Sequence, residues 1–185
     1  MAKIRLNSAQ WTVLTSPAYH IATRDLMDVL HTQLEKFRDS LLKNANRFKT
    51  ILPDGTDVYS GRITRGMNHK KCPYVVLDYP RLITNGTFLL FRTLFWLGHN
   101  YSFSVIGSSE FANIFFKLKD SLPEGWRARV GGKEIWSNDP QDYLPIQEIK
   151  ATKGNWRVAR FFDYDEFPRW ESLVRSSIEQ IIEAL

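Results

Sequence analysis

The chain has 185 residues, 43% hydrophobic and 24% charged, which suits one folded domain with a sizeable core and excludes disorder, coiled coil and collagen as its main architecture. Six Trp, seven Tyr and twelve Phe accompany 25 basic and 20 acidic residues, for a net charge of +5. That balance suits a nucleic-acid binder or a well-filled core with a mildly basic surface. The lone cysteine, Cys72, excludes an intramolecular disulfide.

In chain order, Ala9 to Leu14 behind a Ser8 cap reads as a short helix. Ser16-Pro17 then starts a long one, with Ser as N-cap and Pro where its missing N–H costs nothing. Tyr19, Leu26, Leu30, Leu34, Phe37, Leu41, Ala45 and Phe48 mark its apolar face, and Leu52-Pro53-Asp54-Gly55 ends it. From Asp57 the period changes to two. Val58 to Thr64, Tyr74 to Tyr79, Thr87 to Trp96 and Tyr101 to Ile106 read as strands, with turns at Gly66-Met67-Asn68, Asn85-Gly86 and Gly98-His99-Asn100. Links this short join antiparallel neighbours. A helix capped by Ser108 or Ser109 carries Phe111 to Leu122. Arg127 to Val130 and Lys133 to Trp136 flank Gly131-Gly132 as a hairpin, and residues 138–153 form a loop. A strand from Asn155 to Phe162 leads into a carboxy-terminal helix from Asp165. The expected fold is a single α+β domain spanning 1–185, an antiparallel meander with long amino- and carboxy-terminal helices mainly on one face.

No motif in this chain fixes a reaction. The amino terminus carries Lys3 and Arg5, but Asn7, Ser8 and Gln10 interrupt the apolar run that an export signal needs. The apolar segment from Phe88 to Leu97 contains Arg92 and is short of the roughly 20 residues of a spanning helix, so a soluble cytoplasmic protein is expected. Residues 1–50 hold eight basic and four acidic groups, and a loop adds Arg62, Arg65, His69, Lys70 and Lys71. Acids interleave with the bases on the long helix, which favours a solvated face over a phosphate-binding patch. His20 and His31 lie about 16 Å apart along a helix and cannot share a metal. No finger-like partner follows His69 and Cys72, and Gly61 to Gly66 lacks the Lys and Ser/Thr of a phosphate loop. Neither a metal nor a cofactor is expected.

Alternation supplies the candidate site. Phe88, Leu90, Arg92, Leu94 and Trp96 share a face, as do Trp156, Val158, Arg160 and Phe162, and as do Tyr74, Val76 and Asp78. With Gly98-His99 as a two-residue turn, the Arg92 row faces Tyr101, Phe103 and Val105, and a turn at Asn85-Gly86 puts Asp78 within one residue of Arg92 across the strands. Charges in apolar rows find each other, reach an edge or meet a ligand. One reading is an internal Asp78–Arg92 pair. The other is an aromatic-walled pocket where Arg92 and Arg160 hold an anion, with Asp78, Tyr79, Trp96 and His99 nearby.

The stretch Pro73-Tyr74-Val75-Val76-Leu77-Asp78-Tyr79-Pro80-Arg81, with Phe91-Arg92-Thr93-Leu94-Phe95-Trp96 and Gly98, resembles an uncharacterised protein family of the Bacteroidetes over residues 60 to 107. The resemblance implies a bacterial origin and brings no catalytic residue, cofactor or substrate. The expected function is a non-catalytic module binding a partner protein or a small anionic ligand. A small enzyme using Asp78, Tyr79, Arg92 and His99 is the alternative, and nucleic-acid binding through the basic first half is the third reading.

Overall fold

The computed structural model describes residues 4–150 and 153–185. Lys3, and positions 151 and 152 of the expected loop, lie outside them. The fold is α+β. Helices α1 (Ser8–Thr15), α2 (Pro17–Leu42) and α3 (Ala45–Ile51) precede strands β1 (Arg62–His69), β2 (Cys72–Ile83), β3 (Phe88–Trp96) and β4 (Asn100–Gly107). Then come α4 (Ala112–Ser121), β5 (Arg127–Val130), β6 (Leu144–Pro145), β7 (Trp156–Phe162) and α5 (Trp170–Ala184). The strands form one antiparallel sheet in the order β1-β2-β3-β4-β7-β5-β6.

Several boundaries differ from expectation for local reasons. The α1 cap is Asn7 rather than Ser8, in a reciprocal capping box with Gln10. The long helix breaks at Lys43-Asn44 into α2 and α3, and its buried stripe begins only at Met27, leaving Tyr19 and Leu26 half exposed. Residues 58–60 are a turn instead of a strand start, because Asp57 Oδ1 accepts from the amides of Tyr59 and Ser60, both at 3.0 Å. Gly66-Met67-Asn68 continues β1. The turn falls at Lys70-Lys71, whose φ values of 46° and 69° suit a tight hairpin. Glycine is needed at position 66 for another reason: a Cβ there would fall inside the Tyr74 ring of the paired strand.

The expected second half of a hairpin at 133–136 is a 3-10 turn. Gly131 and Gly132, both at positive φ, turn the chain off the sheet edge so that it crosses the sheet face, and β5 pairs with β7 and β6 instead. A 3-10 segment from Tyr164 to Arg169, containing Pro168, delays the last helix from Asp165 to Trp170.

These elements cover both faces of the sheet. Val75, Leu77, Tyr79, Leu89, Phe91, Phe95, Tyr101, Phe103, Val105, Trp156 and Val158 point toward the helices, joining Leu34, Phe37, Leu118, Val174 and Ile181 in the main core. Edge-to-face contacts of Phe95 with Phe167 (5.6 Å) and Trp170 (5.1 Å) are typical of it. The opposite face is covered by residues 133–143, here termed the strap. Ile135 anchors it among Leu90 and Ile106, and Tyr143 packs on Phe161 at 5.1 Å.

Candidate anion site beneath the strap

Register decides which residues meet. Trp96 pairs with Asn100, so the link between β3 and β4 has three residues, Leu97-Gly98-His99, rather than two. That single residue turns β4 over. The Arg92 row therefore faces Asn100, Ser102, Ser104 and Ile106, while Tyr101, Phe103 and Val105 point into the helix-side core.

The predicted site residues divide accordingly. Asp78, Arg92 and Trp96 lie on the strap side. Asp78 pairs with Arg92 across the strands, and the guanidinium donates from Nε to Oδ1 at 2.7 Å and from Nη2 to Oδ2 at 2.9 Å. Arg92 also lies over the Trp136 ring, 5.3 Å from its centroid. Trp96 is buried, donates from Nε1 to the His69 carbonyl, and carries the exposed His99 stacked on it at 3.7 Å. Tyr79 and Arg160 are on the other side of the sheet. The Tyr79 hydroxyl donates to the Val58 carbonyl, and burial pushes its pKa up to about 12. Arg160 pairs with Phe103 and approaches Gln180 of α5 at 3.4 Å, so it shares no pocket with Arg92.

In its place the strap side holds Arg157, which belongs to the alternate row of the same strand, between Trp156 and Val158. Arg127 and Arg129 of β5 alternate onto the same side, opposite Ala159 and Arg157. Arg127 donates to the Tyr143 carbonyl and Arg129 to the Asp142 carbonyl, which ties the strap down. Arg157 is fully buried, and Nη1 donates to the carbonyl of Ser137 (2.8 Å) and to Oδ1 of Asn138 (2.7 Å). Burial pushes its pKa down to about 10. Its Nε and Nη2 have no acceptor among the described residues. These two atoms form one edge of the guanidinium, the edge with which Arg92 grips Asp78.

Further polar atoms without a partner among the described residues lie on the same face of the sheet. Ser104 pairs directly with Arg92 on one side and Ala159 on the other, which makes it the diagonal neighbour of Arg157. Its hydroxyl, that of Ser102 and Oδ1 of Asn100 are buried without a partner. Asn138 links this group to His69. Its Oδ1 accepts from Arg157, so its Nδ2 faces His69 Nε2 at 3.0 Å, and the histidine must be neutral to accept. Desolvation, followed by the charges of Lys70, Arg157, His99 and Arg92, lowers the His69 pKa.

The sequence signal for this group was faint. Ser102 and Ser104 alternate with large aromatics, and Arg157 with apolar neighbours, but only the covering strap makes those positions interior. The basic loop is partly neutralised: Arg65 pairs with Asp28, and Lys70 with Asp139 at 3.3 Å. Among the described residues no three His, Cys, Asp or Glu side chains gather as a metal site, and no helix is long and apolar enough to cross a membrane. No family model, curated protein or solved structure matches the chain.

Proposed function

We propose that this protein is a binding module that seats a small carboxylate- or phosphate-bearing molecule between the sheet and the strap, with Arg157 as the group that grips it. One observation carries the reading. Among the described residues a fully buried guanidinium has no hydrogen-bond acceptor for Nε and Nη2, on the same face of the sheet as three further buried polar atoms without partners. Leaving such groups unsatisfied costs about 1–3 kcal/mol each, more when charged, and an oxyanion accepting from Nε, Nη2 and the serine hydroxyls would remove that cost. The face is also electropositive, with Arg92, Arg127, Arg129 and Arg157 on it. Trp136 of the strap, which lies over Arg92, is 42% exposed. Both oxygens of Asp78 accept from Arg92 and His69 accepts from Asn138, so these two groups are engaged in the framework, while His99 lies exposed on Trp96. This supports binding over catalysis.

The test is mass spectrometry under native conditions on the purified chain, followed by thermal melts with inorganic phosphate and with acetate. The wild type should carry or take up one anion and melt higher with it. Arg157→Lys, which keeps the charge and loses the fork, should lose that response. A wild type that ignores millimolar concentrations of both anions and shows only the bare mass would remove the proposal.

A further inference from the structure

The amino-terminal arm is a finished helix that packs on nothing. Helix α1 has a complete capping box and no buried residue. Trp11 and Leu14, three residues apart on one face, are 58% and 63% exposed. An eight-residue helix with no buried side chain is well below the roughly 12–15 residues at which isolated helices become even marginal in water. Something must cover α1 for it to persist.

Its own chain cannot supply that cover from α2. The link between the helices is Ser16 alone, whose hydroxyl caps α2 by accepting from the Tyr19 amide, and His20 Nε2 lies 2.9 Å from the Val13 carbonyl across the elbow. Folding one helix back on another takes about two or more connecting residues. Beside the elbow, however, lies an open groove of about 630 Å³ between the first turns of α2 and the β1–β2 hairpin. Tyr19, Met27, Met67 and Pro73 line it together with the charged Arg24, Asp28, Arg65 and Lys71, and Met27 carries the core stripe of α2 into it.

We infer that the protein is a twofold dimer in which α1 of each copy lies in this groove of the other, with Trp11 and Leu14 as the inserted side chains. The arm carries no charged residue from Leu6 to Thr15, which suits the apolar part of the groove. Reciprocal exchange also makes the contact self-complementary, as a twofold axis requires. The area is sufficient. Ile4, Leu6, Trp11, Val13, Leu14, Tyr19 and Met67 are each 39% exposed or more. Together they present on the order of 600 Å² of apolar surface per copy, approaching the ~800 Å² per partner of a stable interface.

Analytical ultracentrifugation of the full chain decides the matter. A dimer is expected at micromolar concentration. Trp11→Ala with Leu14→Ala should weaken it by roughly thirtyfold or more, as removal of buried anchors does, while circular dichroism and the melting temperature of the dissociated protein change little. Met67→Asp in the groove should have the same effect on the dimer. Mixing the arm variant with the groove variant should partly restore association, because one intact arm then meets one intact groove. A wild-type monomer at about 100 μM would overturn the inference, as would a wild-type dimer unaffected by both variants. A monomer that sediments with anionic phospholipid vesicles would overturn it in favour of a membrane-surface arm.

Discussion

The two faces of the sheet are built from the same strands, residue by alternate residue, yet they hold their covers by different forces. On the helix side Phe91, Phe95, Tyr101 and Phe103 meet α2, α3 and α5 through ring contacts and dispersion, which are non-directional and sum over many atoms. On the strap side Arg127, Arg129 and Arg157 hold the cover by donating to its backbone carbonyls, with Tyr143 adding a bond to the Ser137 carbonyl at 2.5 Å. The first arrangement asks for volume and the second asks for a partner at each atom. A face of the second kind therefore shows where partners are missing, and the edge of Arg157 is one such place.

Substitutions sharpen this contrast, beginning with the largest expected effect. Phe95→Ala, fully buried against Phe167 and Trp170, should cost about 3–5 kcal/mol in urea unfolding. Arg92→Met should cost about 2–3 kcal/mol, because Asp78 is left buried without its partner. Adding Asp78→Leu should recover most of that loss, since a pair replaced as a whole leaves no stranded charge. If the single and double variants are equally unstable, the pair is not what Arg92 contributes.

The next effect is pH-dependent. The His69 pKa is lowered on folding, so below its ordinary value near 6.5 the unfolded chain binds the proton more readily than the native one. Stability from this group is complete above that pH and falls as the pH drops toward the native pKa. Protonation also removes the acceptor for Asn138. The melting temperature should decline from pH 7.5 to pH 5, and His69→Gln should flatten the decline; equal slopes in both proteins would dissociate His69 from it. Smallest of all, Ser102→Ala should raise the stability of the anion-free protein by about 1 kcal/mol, because it removes a buried hydroxyl that has no partner among the described residues. A loss instead would mean the hydroxyl is bonded within the fold.

Much of the helix-side architecture was readable from periodicity. The stripe from Leu30 to Phe48 and the meander of β2, β3 and β4 follow from apolar spacing and turn residues, which report local preference directly. The Asp78–Arg92 neighbourhood was legible because a turn at Asn85-Gly86 sets the β2–β3 register closely enough. The β3–β4 register was not, since a glycine in a link permits two-residue and three-residue turns alike, and the choice between them reverses every side chain of β4. The sequence points to Arg160 because its row, with Trp156, Val158 and Phe162, reads as the interior one. That inference holds only for a sheet with one wet face. The strap, whose 3-10 turns and prolines lack periodicity, removes that condition and makes the Arg157 row interior too.

The two margins of the sheet carry a separate consequence. One ends in β6, two residues long and stopped by Pro145, which has no amide to offer. The other ends in β1, with a register shift between Gly66 and His69 and with Arg62 and Arg65 exposed. Short length, proline, irregularity and charge all discourage a neighbouring chain from extending the ladder. Fibril-like growth from the native state is thereby blocked at both rims, and crowding should leave the folded protein soluble where a flat, bare edge would template a precipitate.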